Sequence, residues 1–226
     1  MAEGVELWCG DCLEVLPTLI GVDAVITDPP YGIDWKPRVN HADQHEHWRD
    51  DKAFDPAPFL LVGRYHLFWG GQYYADRLPV SEGWLTWVKR PTDMDFSNDS
   101  RSYSTTELAW RSWGKAKFMA LVWDGGMRAG VAANRTFCHP SQKPVELMDW
   151  CIRQLPQDAV HVLDPFMGSG TTGVAAVKLG RHFTGIEIDP GYFDIARRRI
   201  EAALKEPDMF IEPPKPVKQD GLFDAA

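Results

Sequence analysis

The sequence predicts an α/β domain built on a mostly parallel sheet with helices on both faces. Three observations carry this expectation. Short apolar, β-branched runs alternate with segments of helical period from residue 5 to residue 205. One such run stops at Asp28-Pro29-Pro30-Tyr31, and another feeds a glycine-rich turn over residues 164–173. In sheets of this kind ligands bind beyond the C-terminal ends of the strands, and both motifs fall at such ends.

Residues 5–8 read as a short strand ending at Gly10-Asp11, and 12–19 follow with helical spacing. Residues 23–27 form an apolar strand that the two prolines terminate. Residues 32–55 are polar, rich in His, Asp and Trp, and lack periodicity, as expected of a mobile loop over a site. Strands follow at 64–69, broken by Gly70-Gly71, and at 84–88, 106–110 and 118–123, then a glycine-containing loop over 124–134. The pattern closes with a helix over 144–155 that proline starts, a strand over 160–163, a helix over 170–179, a strand over 182–188 and a long helix over 191–205. Residues 1–206 are expected to be one domain. Residues 207–226 shift to proline and charge and are expected to be a disordered tail.

At 44% hydrophobic residues, the chain of 226 has enough apolar material for a real core. No apolar run reaches the length of a membrane span and no signal-peptide pattern opens the chain, so the expectation is a soluble cytoplasmic protein. Four cysteines are too few for a disulfide scaffold. Cys9 and Cys12 form a C-x-x-C, but no second tight pair completes a zinc site, and inert buried thiols are the favoured reading.

The turn over 164–173 holds G-x-G-x-x-G at Gly168, Gly170 and Gly173, with Glu187 ending the next strand, where an acid can accept hydrogen bonds from ribose hydroxyls. The pattern alone suits NAD as well as S-adenosylmethionine. About fifty residues follow the loop, too few to complete a nucleotide-binding sheet. The missing strands must come from the N-terminal half, which implies a circularly permuted sheet.

Asp28-Pro29-Pro30-Tyr31 suits chemistry on an exocyclic amino group. That nitrogen is a poor nucleophile because its lone pair is delocalised into the ring. A carboxylate (Asp28) and a backbone carbonyl (Pro29) accepting its two N–H bonds would localise the pair, and Tyr31 offers a ring for a flipped base. A C5-cytosine enzyme would need a cysteine nucleophile, typically after proline, and no Pro-Cys occurs.

These motifs, with His139-Pro-Ser-Gln-Lys-Pro144, Asp164-Pro-Phe-Met-Gly-Ser-Gly-Thr172, Gly185-Ile-Glu187, Phe68-Trp-Gly-Gly-Gln-Tyr-Tyr74 and Glu107-Leu-Ala-Trp110, resemble the amino-group DNA methyltransferases. The resemblance is to the permuted arrangement in which the catalytic motif precedes the cofactor loop, and to its compact phage and prophage members. It implies a Rossmann-like S-adenosylmethionine methyltransferase sheet with a small target-recognition insertion over about residues 83–135. It implies catalysis by Asp28, Pro29, Pro30 and Tyr31. Cofactor contacts are implied for Asp11, Asp28, His139, Ser141, Lys143, Asp164, Pro165, Phe166, Gly168, Ser169, Gly170, Thr171, Thr172 and Glu187. Asp11 matches the acid that contacts the cofactor adenine, and Lys143 lies in the segment that holds the methionine end, where it could pair with the carboxylate. Ser141 stands where many relatives have threonine.

The substrate implied is double-stranded DNA methylated at N6 of adenine, with N4 of cytosine as the nearest alternative. RNA or a protein amide as substrate, and a non-catalytic binding module, stand further off. A net charge of −8 sits awkwardly with DNA. Residues 84–135 nevertheless hold eight Lys/Arg against five Asp/Glu. Lys89, Arg90, Arg111, Lys115 and Lys117 are the expected DNA-facing patch, with Trp35 and Trp48 in the polar loop able either to stack on or wedge into DNA or to pack the loop down. In the tail, Gln219, Leu222 and Phe223 fit Q-x-x-L-F, which resembles the peptides that dock into bacterial sliding clamps. A homodimer is left open, and no metal is expected.

Overall fold

The structure, a computed structural model, describes residues 4–33, 52–90, 104–124, 127–128 and 142–205. Eight strands form one mixed sheet. In chain order they are β1 (Val5–Cys9), β2 (Ala24–Thr27), β3 (Tyr65–Trp69), β4 (Trp84–Val88), β5 (Thr106–Arg111), β6 (Lys117–Ala120), β9 (His161–Asp164) and β10 (His182–Glu187). A separate two-stranded ribbon pairs β7 (Trp123–Asp124) with β8 (Met127–Arg128). Across the sheet the order is β1-β10-β9-β2-β3-β5-β4-β6. The first five are parallel, β5 runs antiparallel to β3 and β4, and β6 is parallel to β4.

Alternation along the strands divides the core in two. Ala24 and Ile26, Leu67 and Trp69, Val162 and Phe183 point to one face. There they meet Leu147, Met148 and Ile152 of α3 (Val145–Ile152), Val174 and Ala175 of α4 (Thr171–Lys178) and Ala196 and Ile200 of α5 (Pro190–Lys205). Val25, Phe68, Leu163 and Ile186 point to the other, against Cys12 of α1 (Cys12–Val15) and Phe59 of α2 (Ala57–Leu60). With both faces covered, β2 is buried at every position, as its unbroken Ala-Val-Ile-Thr requires. Among the described residues no helix is long and apolar enough to cross a membrane.

Departures from the expected elements have local causes. The single helix expected over 12–19 is an α-turn followed by a 3₁₀ turn (Leu16–Thr18), because Pro17 has no N–H to continue the ladder. The strand expected over 118–123 is β6, and Trp123 already belongs to the β7–β8 ribbon, which also takes the start of the expected glycine loop. Helix α2 is four residues that follow Pro56 and contain Pro58, too short to show a period. Phe54, at the end of the expected loop over 32–55, is buried against Phe59, Tyr74 and Phe166, so that end of the segment is pinned. Cys12 and Cys151 are buried, whereas Cys9 is exposed at the end of edge strand β1, contrary to the expectation for it. Cys138, Trp35, Trp48, His139, Ser141 and residues 207–226 lie outside the described residues.

Candidate active site

Four parallel strands, β1, β10, β9 and β2, end on the same side of the sheet, and three of those ends carry acids: Asp28 after β2, Asp164 of β9 and Glu187 of β10. Strands remote in sequence are therefore neighbours where the two motifs meet. Thr27 Oγ1 donates to Asp164 Oδ1 at 2.6 Å and locks the ends of β2 and β9 together. Pro29 is buried behind Asp28, and the Tyr31 hydroxyl donates to Asp28 Oδ1 at 2.5 Å. The Tyr31 ring stacks on Tyr73, centroids 5.1 Å apart, and packs closely on Gly70, where a Cβ would sit 2.1 Å from Tyr31 Cε1. Gly70 also turns the chain at φ +72°, so the Gly-Gly after β3 is the floor that lets Tyr31 take this position.

The second oxygen of Asp28 meets Lys143. Its Nζ lies 2.6 Å from Asp28 Oδ2, 3.0 Å from Glu107 Oε2 and 3.4 Å from the Tyr31 hydroxyl. Glu107 Oε1 in turn accepts from Lys89 Nζ at 2.9 Å. The cluster thus alternates Lys89, Glu107, Lys143 and Asp28, two charges of each sign. The Lys143–Glu107 contact is a buried ion pair. Burial works against the Lys143 ammonium, but Asp28 and Glu107 outweigh it and hold its pKa above the ordinary value. Burial likewise opposes the Glu107 charge, and Lys143 and Lys89 overcome it, bringing its pKa down to about 2. Asp28 is pushed up by burial, relieved by Lys143 and raised further by Glu107.

Beside this cluster opens a cavity of about 280 Å³. It is lined by Asp28, Pro30, Lys143, Asp164, Phe166, Gly168, Ser169, Thr171, Thr172 and Glu187, all expected from the sequence, and by Gln142, Met148, Met167, Ile188, Asp189 and Tyr192, which were not. Glu187 accepts Gly168 N–H at 2.8 Å through one oxygen and Asp189 N–H at 2.8 Å through the other, which fastens the glycine turn to the end of β10. Each oxygen keeps a further lone pair for a ligand hydroxyl. Gly168 and Gly170 both have positive φ, and a Cβ on Gly170 would come within 2.9 Å of Ala196 Cβ on α5. Gly173 lets α4 close on the sheet, since a Cβ there would be 2.5 Å from Ile200 Cδ1. Asp164, pushed up to about 6 by burial, accepts from Thr27 and from Phe166 N–H at 3.1 Å.

Some expected roles change. Lys143 borders the cavity, but its ammonium is wedged between two carboxylates, because those are the nearest anions to a buried cation. The Asp11 carboxylate accepts Leu13 N–H at 2.8 Å as the cap of α1 and is not part of the cavity wall. Pro165 and Gly170 shape the turn from behind. The expected DNA-facing patch does not hold together as a surface. Arg90 and Arg111 are each 2% exposed. Arg111 turns inward, donating to the Lys115 carbonyl and lying over the Trp113 ring. Lys89 is committed to Glu107, and only Lys115 and Lys117 face outward. Glu107 was missed as a site residue. Its one signal was its place in Glu107-Leu-Ala-Trp110, where a charged residue interrupts a strand.

Residues 87–198 match the family model of a DNA methylase, the N6/N4 methyltransferase type. The chain is 31% identical over 254 aligned residues to the type II methyltransferase M.ScaI of Streptomyces caespitosus, covering 88% of this chain and 82% of that protein. It is 34% identical over 137 residues to the type II methyltransferase M2.DpnII of Streptococcus pneumoniae, across 52% of this chain and about half (50%) of that relative's length. Among solved structures it is similar to M1.HpyAVI crystallised with S-adenosylmethionine, at 26% identity and a TM-score of 0.55, over 86% of this chain and 99% of that one. The chain belongs to this DNA methylase family. Its eight-stranded mixed sheet is the Rossmann-like methyltransferase fold that the sequence predicts.

Proposed function

We propose that this protein transfers a methyl group from S-adenosylmethionine to the exocyclic amino group of a flipped base in double-stranded DNA, at N6 of adenine. The observation that carries the reading is the placement of Asp28 on the wall of the glycine-loop cavity, so that a base held at Asp28 would face whatever the cavity binds. The cavity suits the cofactor. Glu187 has lone pairs left for ribose hydroxyls, and apolar walls from Phe166, Ile188 and Tyr192 suit an adenine ring. Among the described residues the buried Gln142 Oε1 has no hydrogen-bond partner, an acceptor available to an ammonium.

In the reaction the amino nitrogen, its lone pair localised by N–H bonds to Asp28 and the Pro29 carbonyl, attacks the methyl carbon. S-adenosylmethionine would supply the sulfonium methyl: its C–S bond would break as the N–C bond forms, the electron pair remaining on sulfur. The surplus proton leaves the nitrogen through Asp28 to water. Tyr31, fixed by its contacts with Gly70 and Tyr73, is the aromatic wall against which the base would pack. The position of strand β9 between β10 and β2 supports the permuted arrangement. Aspartate at position 28 favours adenine, and N4 of cytosine is the second reading, since the family takes both amino groups.

Base-resolved sequencing of amplified DNA, incubated with the protein and S-adenosylmethionine, tests this reading. N6-methyladenine at a recurring short site is expected. N4-methylcytosine would overturn the base assignment, and unmodified DNA would overturn the function.

A further inference from the structure

We propose that Glu107 is a positioning residue for methyl transfer: by taking a share of the Lys143 ammonium, it keeps Asp28 a strong enough acceptor for the amino group. The inference rests on the function proposed above and deepens it.

The geometry is the argument. The Asp28 carboxylate has only two oxygens, and both are engaged, one by the Tyr31 hydroxyl at 2.5 Å and the other by Lys143 at 2.6 Å. A carboxylate neutralised by a dedicated ammonium would pull weakly on the amino hydrogens of a base. Here the ammonium is not dedicated. Glu107 reaches it from β5 at 3.0 Å, through a buried carboxylate oxygen that faces the ammonium. Lys89, from the end of β4, holds the opposite oxygen at 2.9 Å and keeps the carboxylate turned toward Lys143.

The cluster can therefore be read as a divider. One cation serves two anions, and the second cation stands one step further out. In a buried setting such neighbours act over several ångströms, so removal of one changes the basicity of the others. The groups facing Asp28 are Lys143, which precedes α3, Glu107 of β5 and Tyr31 of its own turn. At longer range are Asp164 at the end of β9 and Tyr74 beyond β3. Of the outer groups, Glu107 and Lys89 belong themselves neither to the catalytic turn nor to the cavity wall.

The test uses the full chain, DNA amplified in vitro and S-adenosylmethionine with a labelled methyl, with kcat followed across pH. Wild type that transfers no methyl overturns the proposed function, and this inference with it. With active wild type, Glu107→Gln is expected to lower the plateau kcat about tenfold. It should also move the acid limb of the profile down by about one pH unit, because Asp28 loses an anionic neighbour. The KM for S-adenosylmethionine should stay within about twofold of wild type, and Glu107→Asp should recover much of the plateau. Lys89→Met should move the limb the other way, upward by about half a pH unit, since it removes a cation from the same cluster. Damage to packing would lower kcat without sending two limbs in opposite directions. Acid limbs that stay in place, or move in the same direction in both variants, overturn the proposal. Should E107Q fail to fold by circular dichroism, the direction of the K89M limb decides.

Discussion

The two halves of the site are built in different ways. The cofactor side, from β9 through α4 to β10, is made of backbone: a glycine turn with positive φ at Gly168 and Gly170, fastened by Glu187 through two main-chain N–H groups. The chemical side is made of side chains that converge from four separate places, after β2, at the end of β4, on β5 and before α3, and its core is a run of alternating charges. Backbone geometry is written contiguously in sequence, because each residue constrains its own φ and its neighbours' hydrogen bonds. A charge cluster is written nowhere in particular, since only the folded sheet brings its members together.

The largest expected effect separates the halves by function. Asp28→Ala should lower methyl transfer by about 10³-fold while leaving S-adenosylmethionine affinity within a few-fold, because Lys143 retains Glu107 as its counter-ion and the glycine turn is untouched. Rate assays with titration calorimetry check both. Parallel loss of cofactor binding would show that the two halves are one unit.

The same contrast explains what the sequence discloses. Asp28, Pro30, Asp164, Gly168, Thr172 and Glu187 could be read as lining one cavity, because each sits in a short motif at a strand end, and strand ends of a parallel sheet form one rim. Lys143 was readable as a site residue but not for its partner. Its nearest anions, Asp28 and Glu107, are 115 and 36 positions away, and no local pattern records that distance. The buried Arg90 and Arg111 failed as surface residues for a related reason. Counting charges along 84–135 treats every Arg as solvated, whereas a long guanidinium side chain can turn back to cap a carbonyl, as Arg111 does. Asp11 was placed correctly at the end of β1, yet its carboxylate is used by the helix it starts.

A second contrast is electrostatic, and it predicts opposite pH dependence. Asp164 on the cofactor side is buried among hydroxyl and amide donors, with a pKa of about 6. Its folded value lies above its unfolded one, so its stabilising effect is complete below the ordinary carboxylate range and is lost as pH rises through about 6. Glu107 on the chemical side is held at about 2 by Lys143 and Lys89. Its folded value lies below its unfolded one, so its contribution is present above the ordinary carboxylate range and is lost as pH falls toward 2. Urea denaturation between pH 4 and 7 should show Asp164→Asn flattening the alkaline-going loss, worth about 2 kcal/mol, while Glu107→Gln weakens the protein most at the neutral end. Curves that respond alike to both substitutions would erase the distinction.

A smaller effect tests whether the backbone half is as rigid as its φ values imply. Gly170→Ala places a Cβ at φ +79° and within 2.9 Å of Ala196 Cβ, so it should cost about 1–3 kcal/mol of stability and loosen the turn that Glu187 holds. Gly180→Ala provides the comparison. It shares a positive φ of +64° but meets nothing within 4 Å, and it should cost about 1 kcal/mol, with cofactor affinity unchanged. Equal losses in stability and in cofactor affinity would mean that the close approach of α5 contributes nothing.

The smallest effect concerns the two lysines of the expected patch that face outward, Lys115 and Lys117. Lys117 Nζ donates to Gln154 Oε1 at 2.7 Å, a neutral partner that leaves its charge uncompensated. If the rim at the start of β6, across the sheet from the strand ends that carry Asp28, meets DNA, each lysine that neutralises a phosphate adds a little under one to the magnitude of the logarithmic salt slope. Lys115→Gln with Lys117→Gln should then reduce that slope by at most about two, with sequence preference unchanged, because phosphate contacts position a protein without reading bases. Arg111→Gln should behave differently. It removes a buried guanidinium that caps the Lys115 carbonyl, and the loss should appear in thermal stability, not in the salt slope. Anisotropy titrations at several salt concentrations, run beside thermal melts of the same proteins, distinguish the two. A slope that changes with Arg111 and not with the lysines would return the buried arginine to the DNA surface, and would mean that this edge of the sheet rearranges on binding.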